Sequence, residues 1–440
     1  MGNAEPKNET LMARPPQSTE ALARWAVART CGLEDSSIEV HLIYPSAITP
    51  LSEVMFFPRR DPRGTLVLKP RSADRTGSVI ILPPSESTTP AAAKLSDLLP
   101  TPYGPLVARS GPADSLCRLR EALSSDACDG VVVPKWIVEE VLQADFPDRR
   151  LSTAVARATR VILPLSEFAP LPGEGAFISP TRRNASLARP NCPATMRRCR
   201  EELLAAEGGY RTTILGKSFG EVVWSKEGTS GVRRLSLRAQ QAPLPKAASR
   251  AAVWPPQTGV EDPMRRLPVP FCTDALKPGV GFIVSKSEAL PQGLRLPEGA
   301  IVIVPGRTTW ERLVARGVLV SGSFDGLGED ELDEIAAAFP EVGGWVKLGH
   351  SQGAERGDTD LIATYRLETT QPAPRLSGYS HFFWRSGSQF EYYLSTNPEL
   401  RVAFHGSGPG HTAATIRRHV TDPSHCGVFA SLDDFIAEAL

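Results

Sequence analysis

The chain has 440 residues, 41% apolar and 22% charged, an ordinary balance for a folded chain of roughly two to four domains. Lys+Arg and Asp+Glu each total 49, so the net charge is zero. That excludes a general binder of nucleic acid or of an anionic membrane surface, which needs a basic excess.

No apolar run approaches the roughly 20 residues that span a bilayer. The opening MGNAEPKNETLMARPPQ has no apolar core of a secretory signal. The seven cysteines are scattered without a CxxC pair, which reads as free thiols in the reducing cytoplasm.

In chain order, Thr19–Thr30 is an amphipathic helix that Ser18 or Thr19 can cap. Ile38–Ile43, Val54–Pro58 and Thr65–Leu68 read as strands, the last two split by the charged turn Arg59–Gly64. Val79–Leu82, Pro105–Ala108 and Gly130–Val133 are strands. They alternate with helices entered after Pro83–Pro84, over Asp114–Leu123 and over Trp136–Gln143. This β-α rhythm predicts a mostly parallel α/β domain. Val161–Leu163 and Gly175–Ile178 are further strands, and Arg198–Ala206 a helix. Thr212–Leu215, Glu221–Trp224 and Arg233–Arg238 read as an antiparallel meander.

Six arginines crowd residues 180–200, either a patch facing a polyanion or a solvated helix start. Ala242–Pro270 carries seven prolines and little periodicity, as a linker does.

Beyond it, Gly281–Val284, Ala300–Val304, Trp345–Leu348 and Leu361–Leu367 read as strands, and Trp310–Arg316 as a helix. The stretch Ser380–Arg418 then reads as strand (His381–Trp384), small-residue turn, helix (Gln389–Leu394), strand (Arg401–Phe404), glycine turn (Gly406–Gly410) and helix (Thr412–Val420). Ser431–Leu440 is a terminal helix. Two strand-to-helix turns bring free backbone N–H groups to one sheet edge, where they bind anions without charged side chains. FIVSKSEAL (282–290) with VPGRTTWERLVARG (304–317) echoes FFWRSGSQF (382–390) with SGPGHTAATIRRH (407–419). A duplicated half-domain suggests two similar lobes with a cleft between them.

Six of seven histidines follow residue 349, but none has metal-ligand spacing. His411 stands at a helix start, where it can meet a carboxylate or simply face solvent. GKSFG (216–220) and GHSQG (349–353) match the serine-hydrolase elbow pattern, but each leads into a strand, where the elbow requires a helix.

After the proline-rich stretch, several motifs resemble uroporphyrinogen-III synthase. They are Ser386-Gly387-Ser388 after FFW, Gly408-Pro409-Gly410-His411-Thr412-Ala413, Ala430-Ser431-Leu432, and Thr364-Tyr365-Arg366. Before it, the chain resembles hydroxymethylbilane synthase (porphobilinogen deaminase) at Leu11–Arg14 with Ser18–Trp25, Arg59–Arg63, Ala108–Gly111, Cys117–Leu119, Phe168–Ala176 and Cys199–Gly216.

The resemblance implies an α/β protein with periplasmic-binding-protein-like deaminase lobes (1–179) and a deaminase-like α+β subdomain (180–241). A linker (242–270) and a two-lobed parallel α/β uroporphyrinogen-III-synthase-like region (271–440) follow. The synthase family's opening strand and helix are not evident after Pro270.

Departures weigh against deaminase activity. Tyr210 stands where that family carries the cysteine that binds its dipyrromethane cofactor, and a phenol is protonated at neutral pH. The segment with the catalytic aspartate is missing, and Pro83–Ser87 replaces an arginine-bearing element, while Arg14, Arg118 and Arg182 remain at matching positions. No cofactor and no metal are therefore expected.

For the C-terminal half, the resemblance implies cyclisation of hydroxymethylbilane. Substrate carboxylates would be held at Ser386, Gly387, Ser388, Gln389, Gly408, Gly410, His411 and Thr412 on one lobe. Ser285, Ser287, Thr308 and Thr309 would face them, with Tyr365 or Tyr392 as proton donor. The expected ligand is hydroxymethylbilane or another polycarboxylate tetrapyrrole. The alternatives are a non-enzymatic tetrapyrrole-binding scaffold or partner of an active deaminase, and a deaminase with altered chemistry.

Overall fold

The computed structural model describes Ser18, residues 21–26, 64–69, 77–82, 88–103, 105–110, 115–125, 128–165, Phe168, 244–256, 264–351, 353, 359–369, 371–429 and 431–440. For the strands at 41–42, 55–58, 176–179, 210–216, 220–227 and 232–238 it describes the backbone alone. The chain is mixed α/β, with several mainly parallel sheets. Among the described residues no helix is long and apolar enough to cross a membrane.

Near the N-terminus, Ser18 Oγ accepts from Ala21 N at 3.1 Å and starts the first helix, as the capping pattern predicts. A five-stranded sheet follows in the order Leu106–Ser110, Gly77–Ile81, Gly130–Pro134, Gly64–Leu68, Thr159–Ile162. Its centre, GVVVP at 130–134, is buried along its whole length, as a strand covered on both faces must be. The first three strands are parallel, but Gly64–Leu68 runs antiparallel to both its neighbours. The sheet is therefore mixed, where the rhythm predicts a mostly parallel one, because Gly64–Leu68 pairs antiparallel between Gly130–Pro134 and Thr159–Ile162. Helix Arg149–Arg157 is not among the expected elements, although its two buried residues, Leu151 and Val155, stand at helical i, i+4 spacing. The antiparallel meander is present as Tyr210–Gly216, Gly220–Glu227 and Val232–Arg238.

The C-terminal region holds two further sheets. One has six strands in the order Met264–Pro268, Thr359–Thr369, Trp345–His350, Gly281–Val284, Val302–Val304, Gly322–Ser323, all parallel except the first. The other has four parallel strands in the order Val253–Trp254, His381–Trp384, Phe404–Ser407, Cys426–Val428. The proline-rich stretch thus carries two strands, one in each sheet. Val253–Trp254 forms an edge of the four-stranded sheet. Met264–Pro268 then crosses to the six-stranded sheet, and Thr359–Thr369 pairs with it before the chain returns.

The echo between residues 282–317 and 382–419 is real at the level of elements: each copy is two adjacent parallel strands. One boundary moves. The second strand of Ser380–Arg418 is Phe404–Ser407, and Pro398–Arg401 forms a 3₁₀ turn with Val402 exposed.

The two halves join edge to edge. Ile162 N donates to Ser321 O at 2.8 Å, linking the outer strand of the five-stranded sheet to that of the six-stranded one. A continuous apolar cluster crosses the seam, with Leu66, Val79, Leu98 and Leu163 on one side and Phe282, Val302, Trp310 and Leu348 on the other. The buried Arg160 adds an ion pair with Glu341.

Candidate functional site

Between the two C-terminal sheets lies a cleft of about 900 Å³. Its position follows from topology. Read in chain order, the five parallel strands of the larger sheet have the order 3-2-1-4-5, which reverses between Gly281–Val284 and Trp345–His350. Loops leaving such a switch point splay apart and open a crevice at the carboxyl ends of the strands. Ser285, Lys286, Lys347 and His350 enter the cleft there. From the four-stranded sheet, the turn after His381–Trp384 contributes Arg385, Ser386, Ser388 and Gln389, and the helix start after Phe404–Ser407 contributes His411. The antiparallel pair forms the floor: Met264 and Arg266 alternate inward from one strand, Tyr365 and Leu367 from the other.

The lining divides by chemistry. Arg250, Arg266, Lys286, Lys347 and Arg385 are basic, and Asp433 is the only acidic side chain among the lining residues. Trp254, Pro255, Phe383 and the terminal-helix residues Leu432 and Ile436 make an apolar wall. Some of the charge is already engaged. Lys347 bridges to Glu329 at 2.8 Å, and Arg250 donates to the carbonyls of Val253 and Pro255. The cleft is still strongly biased towards anions that carry an apolar body.

Tyr365 owes its place to a β-bulge. The register between Trp345–His350 and Thr359–Thr369 slips at Gly349, so that His350 pairs with Tyr365, and their rings stand 5.9 Å apart. The Tyr365 side chain is buried, and burial raises its phenol above the ordinary value, while neighbouring Ser285 and Arg266 act in the opposite direction. A raised phenol keeps its proton at neutral pH, as a donor must. The Ser285 hydroxyl is buried and makes no well-formed hydrogen bond. Burial and the charge of Lys347 depress His350; burial, Arg418 and Lys347 depress His411. Both imidazoles are thus biased to the neutral form.

On the four-stranded side, Ser386 caps helix Gly387–Leu394, its Oγ accepting from Gln389 N at 3.2 Å. The remaining first-turn N–H groups have no intrahelical acceptor by geometry. Gly387 is buried where helix His411–His419 crosses: a Cβ would come 2.9 Å from Thr415 Oγ1. Gly410 (φ +84°) packs against Gly328 (φ +101°) of the other sheet's loop, so close that a Cβ on either would lie 3.2–3.3 Å from the other's Cα.

Ser285, Tyr365, Ser386, Ser388, Gln389 and His411, all singled out from the sequence, therefore meet in one cleft. Others lie elsewhere. Ser287 is buried and donates to Glu288; Thr308 is exposed and Thr309 buried on helix Arg307–Val314. Gly387, Gly408, Gly410 and Thr412 shape the turns and helix starts without lining the cleft. The Tyr392 hydroxyl donates to the Gln371 carbonyl, outside the cleft. Arg118 pairs with Glu121 at 2.8 Å in the N-terminal half. Arg14 and Arg182 fall outside the described residues, and Tyr210 is described only as the first residue of its strand.

Missed were the five basic residues and the apolar wall. One signal was present: both echoed strands end within two residues of a cation, Lys286 in one copy and Arg385 in the other.

No protein-family model matches the chain, and no curated protein does.

Proposed function

We propose that the cleft binds a linear tetrapyrrole bearing several carboxylates, and that the C-terminal half cyclises hydroxymethylbilane to uroporphyrinogen III. The observation that carries this reading is the pairing, in one cleft, of five basic side chains with an apolar wall and a buried protonated phenol. A bilane has flat apolar rings with carboxylates at their edges, so it needs both surfaces at once. Basic residues on opposite sides of the cleft, Lys286 and Lys347 facing Arg385, can hold carboxylates of different rings and bend the chain. Orientation of this kind converts an open chain into a near-attack conformer. Tyr365 then gives its proton to the departing hydroxyl, which leaves as water and leaves an azafulvenium cation as the electrophile; Arg266 and Ser285 stabilise the phenolate until the proton released on ring closure returns to it.

The test is incubation of the full chain with fresh hydroxymethylbilane and resolution of the uroporphyrin isomers. Isomer III above the spontaneous isomer I supports the reading; isomer I alone at high protein concentration overturns it. A second reading, a tetrapyrrole-binding scaffold, is favoured by the way the N-terminal half shares a core with the cleft-bearing region. Saturable bilane binding without turnover selects it. A mass equal to that of the bare chain after incubation with porphobilinogen excludes a covalent dipyrromethane.

A further inference from the structure

A second cavity, of about 750 Å³, opens at the seam between the two halves. The N-terminal half supplies Tyr103 and the passage from helix Arg149–Arg157 into strand Thr159–Ile162. The C-terminal half supplies Glu341 and the segments that lead into strands Val302–Val304 and Gly322–Ser323. This cavity shares no lining residue with the cleft.

Four arginines line it (Arg157, Arg160, Arg295 and Arg316) against a single carboxylate, Glu341. Arg316 is committed to structure, donating to the carbonyls of Ser287, Leu290 and Pro291. Arg157 and Arg295 are exposed at the rim, one from each half. Arg160 differs from these. It is 2% exposed, lies over the Phe339 ring at 5.5 Å and pairs with Glu341 through one Nη. Its Nε and other Nη are buried without a partner. A guanidinium presents five N–H donors, and buried donors in native proteins are almost always satisfied. Unmet donors in a cavity wall mark a place where an acceptor belongs. Leu294, Leu296 and Val318 give the wall an apolar part, beside Tyr103, Thr159 and Ser321.

We infer that the seam cavity binds a small carboxylate with an aromatic or branched apolar body, its anionic group held by Arg157, Arg160 and Arg295 and its body against Leu294 and Val318. Such a ligand touches both halves of the chain. Its occupancy therefore stabilises their union by mass action, independently of what the cleft binds.

The probe is 8-anilinonaphthalene-1-sulfonate, an anion on an aromatic body, compared with the uncharged N-phenyl-1-naphthylamine. The full chain is titrated with each and followed by fluorescence. The sulfonate is expected to show a saturable component about tenfold tighter than the neutral probe. That component is expected to disappear in Arg157→Ala/Arg295→Ala, two rim substitutions that leave the core intact, and to survive in the cleft variant Arg385→Ala. Circular dichroism checks that each variant is folded. Arg160→Lys, which keeps the charge and loses the unmet donors, is expected to weaken the component without abolishing it. Equal affinity for both probes, a wild-type titration from the double variant, or loss of the component in Arg385→Ala overturns the proposal.

Discussion

The indole Nε1 of Trp310 donates a 2.9 Å hydrogen bond to the main-chain carbonyl of Leu98, 212 positions earlier, with both groups buried. It crosses the seam where the edge strands meet and helix Thr88–Leu98 approaches helix Arg307–Val314. The seam is thus a specific contact as well as an apolar one.

Trp310→Phe keeps most of the ring packing but leaves the Leu98 carbonyl buried and unpaired. The expected cost is about 1–3 kcal/mol in urea denaturation. Because the core is shared, the seam-bridging sheets of wild type are expected to unfold in one transition by calorimetry. A fragment of residues 244–440, which exposes its share of that core, is expected to melt at least about 10 °C lower than those sheets do in the intact chain. Two well-separated transitions, one for each sheet, would count against a shared core.

Tyr365→Phe removes the proposed donor and little else. Isomer III formation is expected to lose about a hundredfold in kcat with KM nearly unchanged. Tyr392→Phe, whose hydroxyl serves the Gln371 carbonyl, is expected to keep kcat and to lose about 1 kcal/mol of stability. Reversal of the two kinetic results would assign the donor to Tyr392.

Arg266→Leu and Arg385→Leu each withdraw one cation from the cleft. Each is expected to raise KM for the bilane about tenfold, and the effect to shrink as salt rises. A KM insensitive to both substitutions and to salt would separate the cleft from carboxylate binding.

His405 sets an acid limit on stability. It is fully buried, its Nδ1 accepting from Trp384 Nε1 at 2.9 Å and its Nε2 donating to the Leu400 carbonyl at 2.6 Å, which fixes a neutral tautomer. Burial, opposed by the Leu400 bond, pushes its pKa down to about 4 from 6.5. Between those values the unfolded chain holds a proton that the folded chain lacks. Stability is therefore complete above pH 6.5 and declines as pH falls towards 4, by about 3 kcal/mol in total. Urea titrations across this range are expected to show the slope in wild type and a flatter one in His405→Phe. Parallel curves would place the acid sensitivity elsewhere.

Gly387→Ala forces a Cβ against Thr415 Oγ1 and is expected to cost about 1–3 kcal/mol, with partial rescue by adding Thr415→Ala. Additive losses in the double variant would mean that the two helices do not meet there.

The sequence by itself determined the kind of elements, the repeated strand-and-turn unit and most of the candidate turns. His381–Trp384, Gly281–Val284 and the meander fall where pattern places them, because apolar spacing, caps and turn residues act within a few positions. Ser285, Ser386 and His411 were legible for the same reason: each sits at a strand end or helix start that local chemistry specifies. Only the tertiary structure decided which of those turns meet. The edge strand Val253–Trp254 is two residues long and shows no period, so only its pairing with His381–Phe382 reveals it inside a proline-rich stretch. The inward face of Arg266 depends on antiparallel pairing across about a hundred residues of chain, and the pairing of His350 with Tyr365 depends on a bulge that one-residue register arithmetic cannot anticipate. The seam is the clearest case. Ile162 and Ser321 are unremarkable residues on edge strands, and their bond exists because two sheets, each folded locally, end with complementary free edges.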